Sequence, residues 1–513
     1  LPGGGAGDAS LTCVGGFARL GGSVLGVPMN IGLLTHEMAV LGLGVLLLLA
    51  DLWLPAGHRR ALGWAAAAGL GALLVLSCAG FFGLDATGTA FGGMFVQDGL
   101  ALFFKRLFLL TGALVLLMAV EYADRFRGGV SEYFVLVLVA LVGMMLAASA
   151  RDLVLLFVSV ELMTVTFYVL TAYERTRRAS VEAGVKYLIL GALSSAFLVL
   201  GIALLWGTTG RLQFPELAMV SARYSEHPLF LAGAALVFSG LGFKLAAVPF
   251  QVWAPDVYEG SPTPTTALLA AGSKAAGMVL LLRLFFTGLP GLWERAEVMT
   301  LLMAVAGATI LYGNLCALAQ RNVKRLLGYS SIAHAGYLLL GVCALSGAGQ
   351  SAVLYYLVAY ALTVVGAFTV VALVLRHTGG DDVSGLAGLH QRSPFLAATV
   401  ALAMISLAGV PPLAGFFGKF LLIRSVLEQT ALHPGYGVLA GVALVGVVIS
   451  IYYYFRVVRT IYWEAAPETA QPVVLPQPLR FSAALCLVGM LYLGLFPGRV
   501  LAWAEHAARA LAF

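Results

Sequence analysis

Residues 242–277, GFKLAAVPFQVWAPDVYEGSPTPTTALLAAGSKAAG, decide the fold. An apolar run carries Lys244 into Pro249, Pro255, Pro262 and Pro264, four prolines within sixteen residues, and a second apolar run then holds Lys274. Proline removes a backbone N–H and clashes with the preceding turn, so a helix cannot run through such a cluster unbroken. Residues 409–420, GVPPLAGFFGKF, repeat the theme with Pro411 and Pro412 ahead of Lys419. One helix over 394–428 would be about 52 Å long at 1.5 Å per residue, against a hydrocarbon core of roughly 30 Å. That segment therefore reads as a helix interrupted in mid-membrane. Interrupted apolar segments at corresponding places in two halves mark a transport site.

The halves correspond beyond the two breaks. Arg151 precedes Glu161 by ten residues and Lys324 precedes His334 by ten. Ser180–Phe197 has the spacing of Ser351–Phe368, and Lys244 matches Lys419. The offsets are 173, 171 and 175, a nearly constant register. Each unit holds five spans, an odd number, so the second unit must sit upside down relative to the first.

Composition sets the class. Of 513 residues, 61% are hydrophobic and 11% charged, where soluble domains have about 45–50% and about 25%. Runs of about 20 apolar residues joined by short loops make this an all-α polytopic membrane protein with about 14 transmembrane helices. The expected spans include 62–84, 228–250, 394–428 and 478–503. The organisation reads as a Gly-rich extension (1–30), a three-helix segment (31–130), two five-helix repeats (131–290 and 291–462), each with one interrupted helix, and a C-terminal helix (463–513). Met29 directly precedes the first span and is expected to be the natural start, with residues 1–28 disordered or not native. About fifteen cations fall in loops opposite the termini and about nine on the terminal face, which places both termini on the non-cytoplasmic side. The net charge of +6 is spread over many loops and reads as topology, with no nucleic-acid patch. Five cysteines (Cys13, Cys78, Cys316, Cys343, Cys486) lack metal or disulfide spacing.

Charges inside the spans carry the chemistry. The chain has six lysines among its 30 basic residues, and Lys105, Lys186, Lys244, Lys274 and Lys419 fall in expected spans. Arginine keeps its proton at any relevant pH, whereas a desolvated lysine can release one. Each central charge costs about 2.5–3.5 kcal/mol on the insertion scale, so these groups should face inward and pair, Glu161 being the expected central carboxylate. Lys105, beside Arg106 and near a span end, is expected to snorkel to the interface. For Lys186 and Lys274 the bland alternative is a structural ion pair; for His334 it is a buried ring bonded to a hydroxyl.

The strings at 242–277 and 409–420, with NVKRLLGYSSIAHAGYLLLG at 322–341, resemble the antiporter-like membrane subunits of respiratory complex I, and among them subunit N of bacterial NADH–quinone oxidoreductase (NDH-1). The resemblance covers roughly residues 30–505. It implies fourteen helices with two inverted five-helix repeats and a proton path through Glu161, Lys186, Lys244, Lys274, His334 and Lys419. It further implies that Glu161 holds Lys244 charged in one state and that a pulse from a neighbouring subunit alters that pairing. The proton then passes by Lys274 and His334 to Lys419 and the periplasmic side. The chain itself is expected to bind no cofactor, with NADH, FMN, iron–sulfur clusters and quinone on partner subunits. Expected partners are other antiporter-like and quinone-site membrane subunits in the bacterial inner membrane. A multisubunit cation/proton antiporter subunit and a passive membrane scaffold remain as alternatives.

Overall fold

The computed structural model describes residues 30–126, 129–378, 380–466 and 473–511, so the expectations for Met29 and residues 1–28 lie outside the described residues. Helices α1 (Thr35–Asp51) and α2 (Arg60–Cys78) lead to a short antiparallel hairpin of β1 (Gly88–Ala90) and β2 (Phe95–Gln97). Next comes α3 (Gly99–Tyr122), whose first turn is capped by Asp98 accepting from the Ala101 N–H at 2.8 Å. Five crossings follow: α4 (Val130–Ser149), α5 (Leu153–Thr171), α6 (Arg178–Thr209), then after surface helix α7 (Phe214–Tyr224) the broken pair α8 (Pro228–Leu245) and α9 (Ala254–Gly260), and finally α10 (Thr263–Leu268) with α11 (Lys274–Arg283). The second unit comprises α12 (Ala296–Leu318), α13 (Val323–Cys343), α14 (Gly347–Thr378), the short α15 (Leu389–Arg392), the broken pair α16 (Pro394–Ala408) and α17 (Ala414–Leu427), and α18 (Gly435–Trp463). The chain closes with α19 (Gln477–Leu495) and α20 (Gly498–Ala508). Among the described residues thirteen helices are long and apolar enough to cross a membrane. The pair α16 and α17 supplies the fourteenth crossing in two pieces.

Backbone pairing repeats between the units. Ahead of α5, the Leu153 N–H bonds the Leu212 carbonyl at 3.0 Å and the Phe214 N–H bonds the Arg151 carbonyl at 2.9 Å. Ahead of α13, the Val323 N–H bonds the Asp381 carbonyl at 2.7 Å and the Val383 N–H bonds the Arg321 carbonyl at 2.8 Å. These two pairings are offset by 169 or 170 residues, close to the offsets of the side-chain repeat. Both follow-on helices, α6 and α14, are 32 residues long. A span that starts with its chain pinned to the loop after the next span is the same device used twice, on opposite faces.

The two breaks share one local form, a left-handed residue that closes the helix and turns the following N–H groups back onto its last carbonyls. At the first, Ala246 adopts a left-handed φ of 57°, and the N–H groups of Ala246 and Ala247 fold back onto the Phe243 and Gly242 carbonyls. Helix α8 therefore stops at Leu245 rather than at 250, because the reversal precedes the first proline. At the second, Gly409 takes φ 86°, where a side chain would be strained. A Cβ there would also lie 3.0 Å from Lys419 Cδ, so glycine makes room for the lysine.

Three further boundaries differ from the sequence expectation. Helix α2 ends at Cys78 and gives way to Gly80 at φ 72° and the hairpin, whose three-residue strands are too short for alternation to register. The last expected span, 478–503, is two helices: Pro497 cannot donate to continue α19, and α20 turns aside with Arg499, Glu505 and His506 exposed and Ala504 and Ala507 buried. Helix α7, amphipathic and capped at its start by Pro215, packs along the surface between two crossings.

Candidate functional site

Four of the residues singled out in the sequence lie buried along the middle of the molecule. Lys244, in the last turn of α8, is enclosed by the rings of Tyr187 and Phe243, 5.8 and 5.6 Å from its ammonium. Its Nζ donates to the Thr164 hydroxyl on α5, one turn beyond Glu161. Glu161 is half-buried and accepts instead from the Ser195 hydroxyl on α6. The expected direct pairing of Lys244 with Glu161 is thus replaced by contact through one helix, with the carboxylate and the ammonium a turn apart on α5. The geometry follows from α8 ending early, which sets Lys244 against Thr164.

Lys274 opens α11 directly after a π-turn at Leu269–Ser273, a local widening of the helix often found at functional positions. Its Nζ donates to the Ser331 carbonyl of α13 and sits 5.5 Å from the Tyr360 ring. His334, on α13, is held between two phenols: Nδ1 lies 2.5 Å from the Tyr356 hydroxyl and Nε2 3.1 Å from the Tyr454 hydroxyl. A neutral imidazole has one donor and one acceptor nitrogen, and a phenol can answer either. Tyr454 in turn bonds the Ser330 hydroxyl. The series Ser330, Tyr454, His334, Tyr356 therefore forms an unbroken run of exchangeable protons beside the Lys274 contact.

Lys419, on α17, donates to the Leu407 carbonyl at 2.7 Å and the Ala408 carbonyl at 3.3 Å, groups freed by the end of α16. The Tyr337 ring lies 4.7 Å from its ammonium. Tyr356 packs so closely on Gly418 that a Cβ there would clash with its ring, bringing the His334 partner against the residue before Lys419. Lys419 also lines a cavity of about 350 Å³ that contains Arg424 and Leu427 toward the end of α17. Hydroxyl and carbonyl oxygens, not carboxylates, hold Lys244, Lys274 and Lys419. A cation stabilised by neutral dipoles is solvated yet not locked to a fixed counter-charge, which suits a group that takes up and releases a proton.

Lys186 stands apart. Its side chain is 42% exposed and bridges Glu182 at 2.8 Å and Asp256 at 2.7 Å. Asp256, on α9, also pairs with Arg325 of α13 at 2.7 Å, and Arg325 reaches Glu259 at 3.0 Å. The Asp256 carboxylate thus meets two cations, Lys186 and Arg325, from different repeats. This carboxylate ties the first repeat to the second through the segment after the break. Nothing in its sequence neighbourhood, PDVYEG, singles it out.

Lys105 corrects an expectation. It does not snorkel: its side chain is 0% exposed, pairs with Glu37 of α1 at 2.8 Å and donates to Gln97 at 2.7 Å. Glu37, a second buried carboxylate that the sequence reading passed over, lies in the first turn of α1, where an acidic residue reads as ordinary helix-end chemistry. Nearby, Arg283 is bidentate on Asp98 at 2.6 and 2.9 Å.

Comparisons with known proteins place the chain in a family. Residues 150–449 match the family model described as NADH:quinone oxidoreductase/Mrp antiporter, TM. The chain is 40% identical over 486 residues to NADH-quinone oxidoreductase subunit N of Heliobacterium modesticaldum, covering 94% of this chain and 100% of the relative. Among solved structures, a chain of respiratory complex I from Thermus thermophilus matches with a TM-score of 0.75 and 34% identity, over 91% of this chain and 98% of that one. A chain of the Mrp complex from Dietzia matches with a TM-score of 0.77 at 22% identity, over 93% of this chain and 97% of that one, a likeness of fold.

Proposed function

The chain belongs to the NADH-quinone oxidoreductase subunit N family of antiporter-like membrane subunits, and from that premise we propose how it moves protons. It is a multi-pass subunit of a proton-translocating NADH:quinone oxidoreductase, and its own part is proton transfer. Oxidation of NADH and reduction of quinone belong to partner subunits, which carry the flavin and iron–sulfur clusters. Two half-channels, residues 131–290 and 291–462, meet at α13.

The observation that carries this reading is the hydrogen-bonded run Ser330, Tyr454, His334, Tyr356, which begins one residue from the Ser331 carbonyl that Lys274 meets and ends against Gly418, next to Lys419. A pulse from a neighbouring subunit shifts the charge balance between Glu161 and Lys244 across α5. The Lys244 proton then moves by Lys274 and His334 to Lys419. From there the 350 Å³ cavity beside Arg424 leads toward the terminal face, which the cation count assigns to the periplasm. Moving one charge against 100 mV needs about 2.3 kcal/mol, and the burial penalty of a single intramembrane charge is about 2.5–3.5 kcal/mol. Changing how one lysine is stabilised is therefore a large enough lever.

The test is NADH-driven proton translocation per electron in membranes carrying Lys244→Met, after native gels show that the complex assembles. The expected result is a lowered proton-to-electron ratio with NADH oxidation still measurable or slowed in step. A ratio equal to wild type in an assembled complex would sink the path through Lys244.

A further inference from the structure

Lys105 and Arg106 are neighbours on α3, yet they point to opposite environments. Lys105 is sealed inside with Glu37. Arg106 faces a groove of about 300 Å³ between α2, α3, α14 and α20. The α3 side of that groove is the stripe Gly99, Leu102, Phe103, Arg106, Leu107, Leu110, which is the i, i+3, i+4 spacing of one helix face. Gly99 to Leu110 are twelve residues of helix that run about 16 Å, so the groove is elongated along α3, the shape an extended acyl chain fills.

The groove is graded in polarity. At its mouth His506 of α20 lies against Gly99, where a Cβ would be 3.6 Å from the imidazole. Deeper, the Arg106 guanidinium sits 5.8 Å from the ring of Trp503, an exposed residue of α20. Beyond that level the walls are apolar, with Leu74, Leu110 and Val358. Trp in such a place is typical of the membrane–water interface, one side apolar and one wet. Arg106 lies seven residues, about 10 Å, into α3, which is snorkelling distance from the headgroup layer.

Arg106 is held in position, and among the described residues no carboxylate forms an ion pair with it. Its Nε donates to the Ser77 hydroxyl at 3.1 Å and Nη2 to the Ser77 carbonyl at 2.7 Å. Of five guanidinium N–H groups, three remain for a ligand. The nearby cations are satisfied otherwise, Lys105 by Glu37 and Arg283 by Asp98. Among the described residues no carboxylate lines the groove; Glu505, next to His506 on α20, is exposed to the outside.

We propose that this groove is a binding site for an anionic phospholipid, with one acyl chain along the α3 stripe and the phosphodiester on Arg106 beside Trp503. The planar guanidinium matches two phosphate oxygens at once, and His506 supplies a second basic group at the mouth. The bound lipid would add to the contacts that α20 already makes with α3 through His506 and Trp503.

The experiment uses the intact complex in nanodiscs of phosphatidylethanolamine and phosphatidylglycerol, with a trace of phosphatidylglycerol bearing a photoreactive acyl chain. Cross-linked peptides are mapped by mass spectrometry. Label is expected on the peptides spanning 99–110 and 498–508. Arg106→Gln should lower it about tenfold, the worth of one charge-assisted hydrogen bond, and Arg106→Lys should restore part of it. Val500→Trp, which fills the groove and keeps Arg106, should abolish it. In the unmutated complex, unlabelled phosphatidylglycerol should compete far better than phosphatidylcholine, a comparison that needs no variant. Equal labelling in Arg106→Gln and wild type, equal competition by phosphatidylcholine, or occupation of the groove by another subunit's polypeptide would each overturn the proposal.

Discussion

Replacing Glu37 by Gln removes one charge from a pair that has almost no access to water. The Lys105 ammonium is 0% exposed and the Glu37 side chain 4%, with 2.8 Å between them. The remaining partners of Lys105 are the Gln97 amide oxygen at 2.7 Å and the Phe95 ring at 4.9 Å. Breaking a buried pair by removing one partner costs about 3–5 kcal/mol. Glutamine keeps an oxygen where the carboxylate was, so the loss should fall near the lower end, about 3 kcal/mol. An unfolding entropy of about 2.1 cal/mol/K per residue over roughly 480 residues converts this to a fall of about 3 °C in the midpoint. The assay is thermal denaturation of the purified complex, followed by loss of this chain from the assembled species on native gels. Glu37→Gln combined with Lys105→Met removes both charges and should recover most of the lost stability, because the penalty comes from the orphaned ammonium rather than from the missing bond. If Glu37→Gln melts with wild type, or if the double variant is no better than the single one, the pair is not buried in the assembled protein and the argument fails.

Two further outcomes follow from the same geometry. Asp256→Asn should loosen the link between Lys186 and Arg325. With Lys186 42% and Asp256 30% exposed, the loss should be about 1 kcal/mol, read as a lowered melting midpoint of the complex; a midpoint equal to wild type would contradict the link. Gly409→Ala places a side chain at φ 86° and within 3.0 Å of Lys419 Cδ. The left-handed backbone alone costs about 1–2 kcal/mol, and displacement of Lys419 should lower proton translocation more than NADH oxidation; unchanged coupling would mean that the lysine tolerates the shift.

Residues 242–277 and 409–420 already announced two broken crossings, and the offsets of 171 to 175 already implied two inverted units. These features were legible because hydropathy, proline chemistry and chain length act locally along the sequence. The lysines were legible for the same reason, since a charge in an apolar run stands out wherever it points. Their surroundings were not. Thr164 and Ser331, which hold two of the central ammonium groups, lie 80 and 57 residues away in the chain, and the Leu407 carbonyl reaches Lys419 only because the chain folds back across the break. Tyr356 and Tyr454 read in the sequence as two aromatics among many, and become hydrogen-bond partners of His334 only because α14 and α18 both pack against it.

Lys105 and Arg106 mark the limit most clearly. Both are basic, adjacent and equally deep in one span, so the sequence assigns them the same fate. A helix turns 100° per residue, and that rotation sends Lys105 to Glu37 in the core and Arg106 to the groove beneath α20. The sequence by itself determined how often the chain crosses the membrane, where it breaks and which charges it carries inside. Only the packed structure decided which of those charges meet a partner, because burial is a property of helices brought together and not of any one of them.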